Sequence, residues 1–219
     1  MKRISMIKRF VSRVTQSIRF RFEGQISHQN EIGRWIQLLA SLEENRTIVE
    51  IGTWNGLGST SMILKGLESK NSTESKVMGF ESNKKLFETA KKNLRGHPEY
   101  ELIFGSIVTE DELDSKNLSE IEVDWIQNDI SGLKEAPYKL SVVPDQIDLL
   151  ILDGGEFSTF AEFNKLNSRV TGWIVLDDTN TRKCKGILKE LQDDGPWKIV
   201  FSSIERNGTA VLRRSNNED

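Results

Sequence analysis

The stretch IVEIGTWNGLGST, residues 48–60, decides how this chain is read. Its first four residues are apolar and β-branched around one acid, which suits a short buried strand. Three glycines then break the strand, and a Ser-Thr pair opens a helix. A glycine-rich turn between strand and helix lets a ligand approach the backbone closely. Phosphate is the usual occupant of such a turn. Yet no Lys or Arg lies within it, and Glu50 stands two residues before Gly52. A carboxylate in that place favours a cation or an ammonium group.

Outward from this turn, strands and helices alternate. KVMGFES, YELIFGS, IDLLILDGG and GWIVLDDT read as strands, the third apolar enough to be buried on both faces. STSMILKGL, opened by a Ser/Thr cap, NKKLFETAKKNL, FAEFNKLNSRV and RKCKGILKELQDDG read as helices. WKIVFSS and GTAVLRR flank the turn signal Arg206-Asn207-Gly208 and predict an antiparallel hairpin. The alternation predicts an α/β, Rossmann-like, doubly wound fold: a mostly parallel seven-stranded sheet with a final antiparallel hairpin strand. Residues 107–146 interrupt the rhythm and are expected to form an inserted helix and loop over the sheet edge. The expected organisation is a basic amphipathic arm over 1–27, then one domain over 28–219.

The arm is the one compositional anomaly. The chain of 219 residues carries a net charge of only −3, with 37% hydrophobic and 29% charged residues, as an ordinary globular protein does. Residues 1–22 hold seven basic side chains and no acid, leaving 23 basic against 33 acidic residues in the remainder. Ile4, Ile7, Val11, Val14 and Ile18 recur at helical spacing within it. Such a helix lies on an anionic membrane surface, docks on a second subunit, or packs on its own domain. Its acid-free, Arg- and Ser-containing composition also suits a transit peptide. No nucleic-acid partner is expected, because the acidic body repels phosphates. The single Cys184 excludes an intrachain disulfide framework and suits a reducing compartment, so the expected location is cytoplasmic, peripheral to membrane if the arm binds lipid.

In an open α/β sheet, ligands sit beyond the carboxyl ends of the strands where the strand order reverses. Gly52, Gly56 and Gly58 fall at the first such end, and Glu81 closes the second strand 23 residues after Gly58. An acid there hydrogen-bonds the ribose hydroxyls of an adenosine. The glycine spacing also occurs in short-chain dehydrogenases, which need a Tyr with a Lys four residues later. Here Phe104 follows Tyr100 at that distance and Val142 follows Tyr138. The site therefore wants an adenosine and a small positive group with no phosphate between them. S-adenosylmethionine fits that description.

On these motifs the chain resembles the class I methyltransferases over roughly residues 28–213: VEIGTWNGLGS is similar to their first motif, FES to the acidic end of their second strand, and LILDGG and VLDDT to their fourth- and fifth-strand motifs. It looks most like the metal-dependent O-methyltransferases of the catechol, caffeoyl-CoA and macrocin type. SHQNEIGRWIQLL is similar to the Gln- and Glu-containing helix that such enzymes place near the cofactor. The resemblance implies S-adenosylmethionine as cofactor, held around Glu50, Gly52, Asn55, Gly56, Gly58, Glu81, Ser106 and Asp153. It implies a divalent cation, Mg²⁺ for an oxygen-only set, on Asp153, Asp177 and Asp178. The alternatives are that Asp153 or Asp178 caps the next helix, or that Asp177 points back into the sheet and leaves a pair.

The expected reaction is metal-assisted methylation of a hydroxyl on a small acceptor with vicinal hydroxyls, such as a sugar or a catechol. Asp153 would act through the metal. Glu156 stands where relatives often carry Lys or His, and is either the base or a solvated acid at a helix start. His28 is a second candidate base. Ser106 is expected beside the adenine and Asn55 beside the methionine carboxylate, while Trp54, Trp125, Trp173 and Trp197 read as packing. N-methylation is disfavoured because LDGG stands in place of the Asp/Asn-Pro-Pro-Tyr motif of amino-methylating enzymes. A non-catalytic scaffold docking through its arm is the remaining alternative.

Overall fold

The computed structural model describes residues 26–70, 74–193 and 195–215. The basic stretch 1–22, with its expected membrane or dimer contact, lies outside the described residues. In chain order the elements are α1 (Glu31–Ser41), β1 (Thr47–Ile51), α2 (Ser59–Leu67), β2 (Lys76–Glu81), α3 (Lys84–Asn93), β3 (Tyr100–Phe104), α4 (Glu120–Glu135), β4 (Ile147–Leu152), α5 (Thr159–Leu166), β5 (Val170–Asp177), α6 (Arg182–Asp193), β6 (Trp197–Ser203) and β7 (Thr209–Arg214).

These strands form one seven-stranded sheet in the order β3-β2-β1-β4-β5-β7-β6. Pairing is parallel from β3 through β5, whereas β7 runs antiparallel to both β5 and β6. The expected fold class and the closing hairpin are both present. The order reverses between β1 and β4, so the crevice beyond Ile51 and Leu152 is the ligand-binding end of the sheet.

Alternation along the central strands divides the core in two. Val49, Ile51, Leu150, Leu152, Ile174 and Leu176 face α4, α5 and α6. Ile48, Leu149, Ile151 and Val175 face the other way, against Ile32, Ile36 and Leu39 of α1 and Met62 and Ile63 of α2. Each of these aliphatic side chains is essentially inaccessible to solvent, and burying one is worth about 1.5–3 kcal/mol. Ile26, just ahead of the expected boundary at residue 28, is also buried in the second core. Cys184 is a buried packing thiol whose pKa burial pushes far up.

The segment 107–146 does more than cover the sheet edge: Pro137 and Lys139 bond to Ser106 just past the edge strand β3, while Ile107, Val108, Leu113, Ile126, Leu133 and Val143 belong to the first core. α4 starts at a capping box in which the Glu122 carboxylate accepts from the Ser119 backbone N–H at 2.8 Å. Arg182 then clamps this segment to α6 through Glu122 at 3.1 Å and Asp114 at 2.9 Å. α2 likewise starts where expected but without the expected Ser/Thr cap. Its N-cap is Gly58, and Ser59 and Thr60 are buried. Among the described residues, no helix is long and apolar enough to cross a membrane.

Candidate active site

The glycine turn folds into the crevice because the neighbouring strand ends hold it there. The N–H groups of Gly52 and Thr53 both donate to the Phe80 carbonyl at 3.1 Å, and that of Asp153 donates to the Ile51 carbonyl at 3.0 Å. Gly52 has φ +91°, and a Cβ there would overlap the Asp153 carbonyl oxygen. Glycine is required at this point on both counts. The chain then passes through Trp54, itself left-handed at φ 52°, which leaves its indole half-exposed over the crevice.

Beyond the turn lies a cavity of about 410 Å³, walled by the ends of β1, β2 and β4, the loop after β3, and α4. Glu81 lies on one wall. Its two carboxylate oxygens accept from the backbone N–H groups of Trp54 and Asn83, each at 2.7 Å. Burial pushes the Glu81 carboxyl up to about 7, even though these two hydrogen bonds pull the other way. Glu162, fully buried on another wall, is pushed up to about 8 by burial, with nearby Asp129 adding to the rise. Asp129 is itself raised by burial. With Asp153 and Asp178, five carboxyl groups border this cavity, against the cations of Lys183 and Arg206. Such a lining suits a small cation and opposes a pyrophosphate.

The structure separates the expected cofactor residues into two groups. Gly52, Glu81, Ser106 and Asp153 line the cavity; Glu50, Asn55, Gly56 and Gly58 do not. Glu50 lies on the opposite face of β1, because side chains alternate along a strand. There Thr60 Oγ1 donates to it at 2.7 Å and the Tyr100 hydroxyl donates to the same oxygen, so Glu50 braces the turn from below. Its carboxyl pKa is raised by burial. The Asn55 side chain accepts from the Leu57 N–H at 3.0 Å, and Gly56 packs against Leu94. Ser106 Oγ accepts from the Val108 N–H at 3.1 Å. α1, expected near the cofactor, packs in the second core, and its Glu31 accepts from Ser203 Oγ at 2.8 Å. His28 is exposed and borders neither this cavity nor the second one described below.

The three acids at the ends of β4 and β5 do converge: one oxygen from each of Asp153, Asp177 and Asp178 lies within 4.8 Å of the others. The convergence is already neutralised by the protein's own cations. Lys183, from the first turn of α6, places Nζ 2.9 Å from Asp153 Oδ1 and 2.6 Å from Asp178 Oδ2. Arg206, left-handed in the turn between β6 and β7, donates to both Asp177 oxygens, at 3.3 and 2.7 Å. Asp177 thus points back into the protein and is 1% exposed. The Lys183 ammonium takes the position between Asp153 and Asp178 that a divalent ion would need, so the three acids as arranged are matched by the protein's own cations and not by an open metal site.

Asp178 also borders a second cavity of about 560 Å³, lined by Ile121, Glu122, Trp125, Glu156, Thr181, Arg182 and Asn207. Trp125 is 52% exposed here, not packed as expected, whereas Trp197 is buried and Trp173 packs against the second core. Glu156 lies at the start of α6, accepting from Thr181 Oγ1 at 3.2 Å and the Lys183 N–H at 3.3 Å. It therefore does the work of a helix-start acid while bordering this second cavity.

Lys183, Arg206, Asp129, Glu162 and Trp54 are site residues that sequence reasoning missed. Of these, only Trp54 carried a local signal, its place inside the glycine turn.

No protein-family model matches this chain, and no curated protein matches it significantly in sequence. Its fold, in contrast, is shared with solved structures. An O-methyltransferase from Bacillus cereus in complex with S-adenosylhomocysteine is 17% identical, with 89% of this chain and 84% of that one covered and a TM-score of 0.57. A methyltransferase from Geobacter sulfurreducens is 17% identical over 94% and 88% of the two chains, with a TM-score of 0.60. The O-methyltransferase TomG from Streptomyces achromogenes, involved in tomaymycin synthesis and solved with S-adenosylmethionine, is 14% identical over 90% and 86%, with a TM-score of 0.60. By strand order, by the placement of its cavity and by these likenesses, the chain has the class I S-adenosylmethionine-dependent methyltransferase fold.

Proposed function

We propose that this protein is an S-adenosylmethionine-dependent methyltransferase acting on a hydroxyl of a small molecule. The observation that carries this reading is Glu81. It is a buried carboxylate at the end of β2, fixed by two backbone N–H groups and facing a cavity in which five carboxyl groups outnumber the two cations, Lys183 and Arg206. An ionised Glu81 has lone pairs left to accept the two ribose hydroxyls. Ser106, Ile107 and Leu133 would flank the adenine, and Asp153 and Glu162 would face the ammonium end. When bound, S-adenosylmethionine supplies a methyl on a positively charged sulfur, which an acceptor oxygen takes in one displacement as the S–C electron pair returns to sulfur.

The acceptor belongs in the second cavity, which meets the first at Asp178. Trp125 and Ile121 offer an apolar platform for a ring, and Glu156, which borders the same cavity, would receive the hydroxyl proton. The platform would orient an acceptor ring, and positioning of that kind supplies most of the rate of a displacement that needs no covalent catalysis. Two of the structurally similar proteins are O-methyltransferases, which supports oxygen as the acceptor atom. A cytoplasmic location, with the basic arm at a membrane or a second subunit, belongs to the same proposal.

The test is turnover of S-adenosylmethionine against a panel of hydroxylated ring acceptors, with S-adenosylhomocysteine as the measured product. Trp125→Ala is expected to raise acceptor KM about tenfold, the loss of about 1.4 kcal/mol of stacking, with S-adenosylhomocysteine affinity unchanged. An equal loss of affinity for both ligands would place Trp125 in the fold and not in the acceptor site.

Glu81 also predicts a pH dependence. Its carboxyl, at about 7, is half protonated near neutrality, and ribose hydroxyls donate to the ionised form. Lowering pH therefore removes the binding form and raising pH restores it. S-adenosylhomocysteine affinity is expected to be about tenfold weaker at pH 6 than at pH 8, by the ionised fractions of a group titrating at that value. Glu81→Gln should bind weakly and flatten the profile. A wild-type affinity equal at both pH values would contradict the assignment.

A further inference from the structure

The place where the sequence resemblance implies a metal is filled by a side chain. Three carboxylates meeting at two strand ends repel one another and need a compensating cation. Lys183 supplies it from a helix that the structure holds firmly: Cys184, Ile187 and Leu191 anchor α6 in the core, and Arg182 ties its start to the α4 segment. The Lys183 side chain is 10% exposed, so its ammonium is not a surface charge that happens to lie near acids. Its ammonium lies between two carboxylates, 2.9 Å from one and 2.6 Å from the other.

We propose that the Lys183 ammonium is the resident cation of this site, and that the protein transfers methyl groups without a divalent metal. An ammonium has three N–H donors. Two point to Asp153 and Asp178; among the described residues no partner takes the third, and Lys183 borders the cofactor cavity. Lys183 does not line the second cavity, but its partner Asp178 borders both, so an acceptor oxygen reaching from the second cavity into the first would meet that third donor. A metal with open coordination positions chelates two neighbouring hydroxyls; a single N–H orients only one. The acceptor class consequently changes from a chelating vicinal diol to a molecule with a lone hydroxyl. A monovalent cation also depresses a hydroxyl pKa less than Mg²⁺ does, which favours an intrinsically acidic hydroxyl such as a phenol.

This inference rests on the methyltransferase reading, and the experiment separates the two. The purified full-length chain is titrated with S-adenosylhomocysteine in chelator and in Mg²⁺, and separately with Mn²⁺ followed by its paramagnetic resonance signal. The wild type should bind S-adenosylhomocysteine equally in both buffers and bind Mn²⁺ no tighter than about 1 mM, the weak end for an oxygen-ligand site. Lys183→Met keeps the apolar stem and removes the charge, so the freed carboxylates should gain at least about tenfold in Mn²⁺ affinity. Stoichiometric Mn²⁺ binding to the wild type at micromolar concentration would overturn the proposal, as would a folded Lys183→Met that gains no affinity. If Lys183→Met does not fold, the wild-type Mn²⁺ titration decides alone. Absence of S-adenosylhomocysteine binding in either buffer would overturn the methyltransferase reading, and this one with it. Turnover of monohydroxylated acceptors should persist in chelator, at the rate seen with Mg²⁺.

Discussion

Gly52→Ala is expected to abolish S-adenosylhomocysteine binding and to destabilise the domain by about 3 kcal/mol. Two costs add in the same direction. The backbone at φ +91° lies in a region that side-chain-bearing residues rarely adopt, which costs about 1–3 kcal/mol. The new methyl group would also overlap the Asp153 carbonyl oxygen, so the ends of β1 and β4 must part. Parting them moves Asp153 away from Lys183 and breaks the Asp153 N–H bond to Ile51. Denaturant unfolding and a calorimetric titration check both halves. A variant as stable as the wild type, with unaltered affinity, would show that the turn is not where the ligand binds.

Glu81→Ala should weaken S-adenosylhomocysteine binding at least about 100-fold at pH 8. Hydrogen bonds to a charged group contribute about 1.5–3 kcal/mol each, and two ribose hydroxyls are at stake. The change also strips Trp54 and Asn83 of the acceptor that both backbone N–H groups share, so the turn loosens as the ligand contacts vanish. The fold should survive, because the buried carboxyl opposes its own ionisation and the surrounding core is untouched. A thermal melt separates lost binding from lost structure. Retained micromolar affinity would remove Glu81 from the ribose.

The fold was legible in the sequence because the strands are short apolar runs separated by helices whose apolar residues recur at helical spacing. β4, buried on both faces along nearly its whole length, and the buried second half of β5 left little room for another architecture. The glycine turn and the acid at Glu81 were legible for the same reason, since both are local features of one strand end. Glu50 was misread because adjacency along the chain does not show which face of β1 a side chain takes. The alternation that sends Ile51 into the first core sends Glu50 into the second, onto Tyr100.

Other residues were illegible for a different reason. Lys183 is one of three basic residues in RKCK, and nothing local distinguishes it from its neighbours. Only the packing of α6 brings it to Asp153, thirty residues away, and between two carboxylates. Arg206 reaches Asp177 through a hairpin turn whose left-handed backbone the sequence hinted at, but whose side-chain direction it did not. Asp129 and Trp125 lie on α4, whose polar composition read as an edge insertion. In the structure one side of that helix enters the core, one walls the first cavity, and Trp125 borders the second.

The central claim is that the acid-lined cavity at the β1–β4 switch holds an adenosine bearing a positive group. Calorimetric titration of the wild-type chain with S-adenosylhomocysteine at pH 8, with NAD titrated in parallel, tests it most directly. One-to-one binding of S-adenosylhomocysteine in the micromolar range is expected, and none of the dinucleotide, whose pyrophosphate would meet five carboxyl groups against two cations already paired with acids. Binding of NAD with no response to S-adenosylhomocysteine would contradict it.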